Sequence, residues 1–239
     1  MYGMYGYGYG YGLDPTIILV LIGVALSLWA QGRVNSTFSR YSRVRSMTGM
    51  TGAEAARRLL NAQGIYDVTV QQIAGELTDH YDPRTKTVNL SQSVYGATSV
   101  AAIGVAAHEC GHAMQDNEGY APLRFRSALV PVANFGSSLS WPLILLGLVF
   151  GGLGSPLVEI GILMFSLAVL FQLVTLPVEY NASARAVRLL DAQGILAGEE
   201  VNGTRKVLNA AALTYVASAA AAILQLLRLI LLFGRNNRD

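Results

Sequence analysis

The 239-residue sequence holds three histidines, and two of them, His108 and His112, bracket the segment His108-Glu109-Cys110-Gly111-His112. Residues four apart share a helix face, so on a helix both imidazoles point at one place while Glu109, one position on, leans toward whatever is held there. Neutral imidazole nitrogens and carboxylate oxygens are donors that zinc accepts in a tetrahedral site, and a catalytic site keeps its fourth position for water. Zinc lowers the pKa of that water to about 7, and a carboxylate beside it can take the proton and later pass it to a leaving amine. Glu109 is placed for that task. The chemistry to expect is therefore zinc-assisted hydrolysis of peptide bonds with Glu109 as general base. Cys110 falls about 200° round the helix from His108, at ~100° per residue, and belongs on the packed side. As the single cysteine it makes no intramolecular disulfide, and a thiolate-only metal site is excluded.

The motif needs a helix, and the alanines around it, with no proline from Tyr95 to Tyr120, favour one over residues 97–117. The rest of the chain is built for a bilayer: 52% of residues are hydrophobic and only 13% charged, about half the usual charged share. Residues 15–32 carry no charge and suffice for a first span, with Trp29 near one boundary. Ser127 to Val158 is too long for one span; Pro131, Pro142 and the Gly-rich segment 151–156 predict a kinked helix ending near Gly151 and then a turn. Ile160 to Val178, bounded by Glu159 and Glu179, predicts a third span, and Val207 to Phe233, interrupted by Gln225 and Arg228, a fourth. Arg33, Arg40, Arg43 and Arg45 follow the first span and no basic residue precedes it, which places the N-terminus outside and residues 33–126 in the cytoplasm. The third span then returns the chain to Arg185, Arg188, Arg205 and Lys206 on that same side. A fourth full span would carry Arg235 and Arg238 outward, so the last segment is either a span or an interfacial helix.

The expected fold is thus mainly α: a multi-pass transmembrane helix bundle with a cytoplasmic zinc site and a small β-hairpin or sheet before the motif helix. Residues 1–14 form a Tyr/Gly tail read as flexible. Residues 15–32 are span one, 33–126 the cytoplasmic zinc-motif region, 127–178 spans two and three, 179–206 a cytoplasmic segment with the third ligand, and 207–239 the C-terminal span or interfacial helix. Within 33–126, Thr51 caps a helix that stops at Gly64, and the stretches YDVTVQQI, HYD and KTVNLS read as short strands, the last two joined by a turn at Asp82 to Thr85. The strand KTVNLS has the alternation of a sheet edge to which a substrate peptide can add. The segments RLLNAQGI, 58–65, and RLLDAQGI, 188–195, agree at seven of eight positions. They read as one favourable helix ending used twice, not as a duplicated domain.

An open zinc site needs a third protein ligand. His80, beside Asp79 and Asp82, is one candidate. Glu179 is the preferred one, because it ends an apolar span on the same side of the membrane as the histidines, where a carboxylate is costly unless paired or metal-bound. Arg185, six residues on, can steady a carboxylate or an oxyanion, or can serve only as a cytoplasmic anchor.

The segments AAHECGHAMQ, 106–115, and LPVEYNASARAVRLL, 176–190, resemble the YugP-like zinc metallopeptidases of bacteria, which are similar to the wider HtpX-like class of integral membrane metalloproteases. That resemblance implies a gluzincin-type site with Glu179 as third ligand, in a bacterial plasma membrane. It also exposes a departure. Where the class often has Ala-Asp after the glutamate, this chain has Asn181, Ala182 and Ser183, so the hydrogen bond that orients a ligating histidine is supplied differently, with Ser183, like Arg185, a candidate to orient a ligand or to face the oxyanion.

The implied partners are protein or peptide substrates at or in the membrane and the lipid bilayer; a net charge of +2 without a basic face excludes nucleic acid. The rival reading is a catalytically idle zinc-binding scaffold or partner-binding protein, for which a carboxylate at position 109 has no use. A transporter would place paired charges inside the spans, and only Arg228 is there.

Overall fold

The computed structural model describes residues 14–152 and 155–233. The tail up to residue 13, residues 153–154, within the expected turn, and the terminal Arg235 and Arg238 lie outside the described residues.

Four of its helices are long and apolar enough to cross a membrane: α1 (Ile17–Tyr41), α5 (Ala121–Gly151), α6 (Pro156–Ala192) and α7 (Glu199–Phe233). α5 packs along α6, α1 along α7, and α6 also against α7. Pro131 and Pro142 both lie inside α5, which ends at Gly151 as expected, and Ser155 caps the start of α6 by accepting from the Leu157 N–H. Each long helix extends past its apolar run. α6 does not stop at Val178 but carries on through Glu179 to Ala192, because the stretch after Glu179 lacks glycine and proline and has its own buried face, Ala182, Ala186, Leu189 and Leu190. Glu179 therefore lies within a continuous helix rather than at its end. Arg228, the charge inside the last apolar run, pairs at 3.4 Å with Asp14.

Between α1 and α5 the chain builds a cap of α2 (Gly52–Ala62), β1 (Thr69–Ile73), β2 (His80–Asp82), β3 (Thr87–Ser91), α3 (Gln92–Tyr95) and α4 (Val100–Asn117). Thr51 caps α2 as expected: its hydroxyl accepts from the Glu54 N–H while the Glu54 carboxylate accepts from the Thr51 N–H. β2 and β3 form the expected antiparallel hairpin, His80 opposite Asn89, and β1 adds in parallel on the other side of β3, Thr69 opposite Thr87. The order β1-β3-β2 makes KTVNLS the central strand, with both edges paired. It cannot accept a further strand; β2 is the edge strand on the hairpin side. Register between strands far apart in sequence decided this, and local alternation carries no trace of it.

α4 is buried on almost every side, which is why it is built from alanine and glycine: small residues let α2, α6 and α7 approach it closely. The repeated RLL(N/D)AQGI segments end α2 and α6 identically. Gly64 and Gly194 take φ of +70° and +59°, Ile65 and Ile195 return their N–H groups to Leu60 and Leu190 at 3.0 Å, and both isoleucines enter the same core. The two endings face one another, Arg58 donating to the Gln193 carbonyl at 2.9 Å. A favourable helix stop has been used twice to turn two chain segments into one core.

Replacing Gly194 by alanine forces a side chain into left-handed backbone at about 1–2 kcal/mol, while Ile195→Ala removes a fully buried side chain at about 2–5 kcal/mol. Thermal unfolding of the solubilised protein should show both losses, the second the larger; an unchanged melting temperature for Ile195→Ala would contradict this packing.

Candidate metal centre

The motif helix and α6 meet where both are smallest. A methyl group at Gly111 would stand 2.6 Å from the Ala182 carbonyl oxygen, so only glycine lets α6 come this close. That approach sets Glu179 against the two histidines. The Nε2 atoms of His108 and His112 lie 3.2 and 3.5 Å from Oε2 of Glu179, and one donor atom from each residue falls within 4.8 Å of the others. Glu179 is 2% exposed and His112 9%. Three such donors converging in so buried a place call for positive charge between them, a proton or a metal ion. Two imidazole nitrogens and one carboxylate oxygen suit zinc and leave a fourth tetrahedral position, so the donor set fits the ion.

The opposite ring nitrogens decide whether Nε2 is free to bind. Gln115 donates its amide to the Val178 carbonyl and to Oδ1 of Asn181, both at 2.9 Å, which leaves its Oε1 facing Nδ1 of His112 at 3.0 Å. That oxygen can only accept, so His112 carries its proton on Nδ1 and presents Nε2 as a lone pair. Ser183 Oγ stands 3.1 Å from Nδ1 of His108 and orients that ring. Burial disfavours a charge on His112, but the Glu179 and Glu109 carboxylates outweigh it and raise its pKa above the ordinary histidine value. A proton thus competes with a metal ion for one position.

The remaining residues singled out in the sequence are placed as follows. Arg185 reaches Oδ1 of Asn181 at 2.7 Å and Glu118 at 2.6 Å, so it touches neither Glu179 nor the ring nitrogens and connects to His112 only through Asn181 and Gln115. His80 borders the larger cavity beside the centre, but its ring bonds the Thr78 carbonyl and Asn89, and it is absent from the metal-capable group among the described residues. Cys110 is fully buried against the Ala56 carbonyl, and burial pushes its thiol pKa up, as suits a core residue. Glu109 is buried, yet among the described residues it makes no hydrogen bond or ion pair.

Two cavities of about 300 and 480 Å³ reach the centre and share Asp79, His108, Glu109, Glu179 and Tyr215 in their walls. The larger is bordered by β2 and by Arg126, whose Nη1 is 3.4 Å from Oε1 of Glu179 and whose Nε lacks a hydrogen-bond partner among the described residues. Sequence reasoning missed Gln115, Arg126 and Tyr215. Gln115 does stand at helical spacing from His112, a signal that could have found it. Tyr215 lies within an apolar run, and Arg126 read as one more cytoplasmic cation.

Gln115→Leu keeps every donor of the metal but strands the Nδ1–H of His112, so zinc affinity measured against a chelator should fall about 10–100-fold. Gly111→Ala should weaken zinc in the same assay by displacing α6. Unchanged affinity in both variants would mean that these contacts do not hold the centre together.

The sequence matches, over residues 16–234, the protein family described as "Putative neutral zinc metallopeptidase". It is 48% identical over 223 residues to the "Putative membrane protease YugP" of Bacillus subtilis (strain 168), an alignment that covers 93% of this chain and 98% of that protein. No solved structure matches the chain. A match of this extent, joined to a donor set that fits zinc, makes the chain a member of that zinc metallopeptidase family, with zinc as its cofactor.

Proposed function

We propose that the protein is a zinc-dependent endopeptidase of the bacterial plasma membrane, cutting protein or peptide segments at the cytoplasmic membrane surface. His108, His112 and Glu179 hold the ion, and Glu109 is the general base. The observation that carries this reading is the state of Glu109. Glu109 borders both cavities beside His108 and Glu179 and has no ion pair among the described residues, so its carboxylate is open to whatever occupies the space next to the donor triad. An idle zinc scaffold has no use for it.

When bound, zinc supplies Lewis acidity toward a water and toward the carbonyl oxygen of the scissile bond. Glu109 accepts a proton from the attacking water as the new C–O bond forms, then gives it to the amide nitrogen as the C–N bond breaks. Arg126 and Tyr215 are donors in the wall of the larger cavity, on the side where negative charge develops on the carbonyl oxygen. Ser183 and Gln115 keep the imidazoles oriented, and Arg185 acts behind them by steadying Asn181. A substrate segment in extended form would enter along β2, adding to its edge and running between the two cavities. The cytoplasmic location rests on Arg33, Arg40, Arg126, Arg185, Arg188, Arg205 and Lys206, which belong to the ends of the four long helices nearest the cap.

Glu109→Gln keeps the shape of the site and removes the proton acceptor, so zinc should stay while hydrolysis of a panel of quenched fluorescent peptides falls ~10²-fold or more. Glu179→Ala deletes a donor, and zinc and hydrolysis should fall together. Wild-type turnover in Glu109→Gln would remove the base assignment, and no hydrolysis by any zinc-loaded form would favour the scaffold.

Sidedness has its own test, helped by the burial of the native cysteine. Asn61→Cys and Ala197→Cys place thiols on exposed cap positions, and both should resist a membrane-impermeant maleimide in intact cells and react after lysis. Labelling of either one in intact cells would put the centre outside.

A further inference from the structure

A second cleft among the described residues lies away from the metal centre. It holds about 720 Å³ between α1, α6 and α7. α1 supplies Arg33, Ser36, Thr37 and Arg40, spaced so that all four fall on one helical stripe. α7 answers with Lys206 and Asn209, followed by Ala210 and Leu213, again at helical spacing and with the apolar pair toward the bilayer. Tyr180 of α6 completes the wall, one position from Glu179.

The lining is rich in donors, and no carboxylate of the described residues takes part in it. None of its three cations has an ion pair among the described residues; the Arg40 guanidinium lies over the Tyr41 ring at 5.6 Å. The three cations are exposed and water screens their mutual repulsion, but an anion seated between them meets all three charges at once.

Position says which anion. Gly23 of α1 lies against Ala221 of α7, which fixes the antiparallel register deep in the bundle. Arg33 is ten residues further along α1, about 15 Å nearer the cap at ~1.5 Å per residue. The exposed apolar side chains of α1 end at Leu28 and Trp29, one turn before Arg33. The cleft thus begins where the lipid-facing surface ends, the level of lipid phosphates. From Arg33 to Arg40 the stripe is about 10 Å long, more than one phosphate ion occupies. We propose that this cleft binds the phosphodiester headgroup of an anionic phospholipid, with Arg33, Arg40 and Lys206 as the charged contacts and Ser36, Thr37 and Asn209 as hydrogen-bond donors.

The test uses the full chain, purified and delipidated in a neutral detergent. Retained lipid is read by native mass spectrometry and stabilisation by the shift in melting temperature, with phosphatidylglycerol, phosphatidylcholine or inorganic phosphate added separately. Wild type should retain phosphatidylglycerol at least about tenfold better than phosphatidylcholine, and only phosphatidylglycerol should raise the melting temperature. The double variant Arg33→Gln, Lys206→Gln should bind it about 30-fold more weakly, at roughly fivefold per cation. Arg205→Gln loses the same kind of charge one residue away, off the cleft, and should bind like wild type. Zinc content reports that each variant is folded; should the double variant lose zinc, the singles Arg33→Gln and Lys206→Gln carry the comparison. Equal retention of the two lipids, or equal loss in Arg205→Gln, would overturn the proposal. A phosphate-induced shift as large as that of phosphatidylglycerol would overturn the lipid assignment and leave a site for a free anion.

Discussion

A carboxylate buried on a helix that has just left the apolar layer is stable only when positive charge or a metal ion faces it, and Glu179 is such a group. Around it stand His108, His112 and Arg126, contributed by α4 and α5. Bringing them together requires α4 and α6 to touch backbone to backbone, which Gly111 against Ala182 allows. From that requirement follow the small residues of α4 and the extension of α6 beyond the lipid. The repeated glycine endings of α2 and α6 also follow, since they lock both segments into the core beneath the centre.

The bundle and the cap then divide the work. Four apolar helices set the depth and direction of the chain, and the cap supplies a buried helix rigid enough to hold two imidazoles in one geometry. The polar chain from Glu118 through Arg185, Asn181 and Gln115 to His112 ties the surface to a ring nitrogen in four steps. Each step is a hydrogen bond with defined donor and acceptor, so the chain settles which nitrogen of His112 is available as well as where the ring points.

Much of this was legible in the sequence where the signal was local. The His108, Glu109 and His112 spacing is a helix-face relation, and Glu179 stood out because an apolar run ended on a carboxylate. Boundaries of helices were less legible, since hydropathy reports where a chain meets lipid and not where it stops being helical, as α6 shows. Pairings between distant segments left little trace. The central place of β3 depends on β1 arriving in parallel, and Tyr215 reaches the centre from an α7 sequence that otherwise reads as a membrane span. Ser183 is the instructive case: it stands where related proteins often carry an acidic residue, and its hydroxyl meets His108, while His112 depends on Gln115, which sequence reasoning did not single out.

The claim on which everything else rests is that two histidines of α4 and a glutamate of α6 share one zinc ion. X-ray absorption at the zinc edge of the loaded full-length protein reads that shell directly. Two imidazoles at ~2.0–2.1 Å completed by oxygen ligands at ~2.0–2.2 Å, with no sulfur, is the predicted result. A third imidazole would draw His80 into the shell, and a scatterer at ~2.3 Å would draw in Cys110; either would contradict the account.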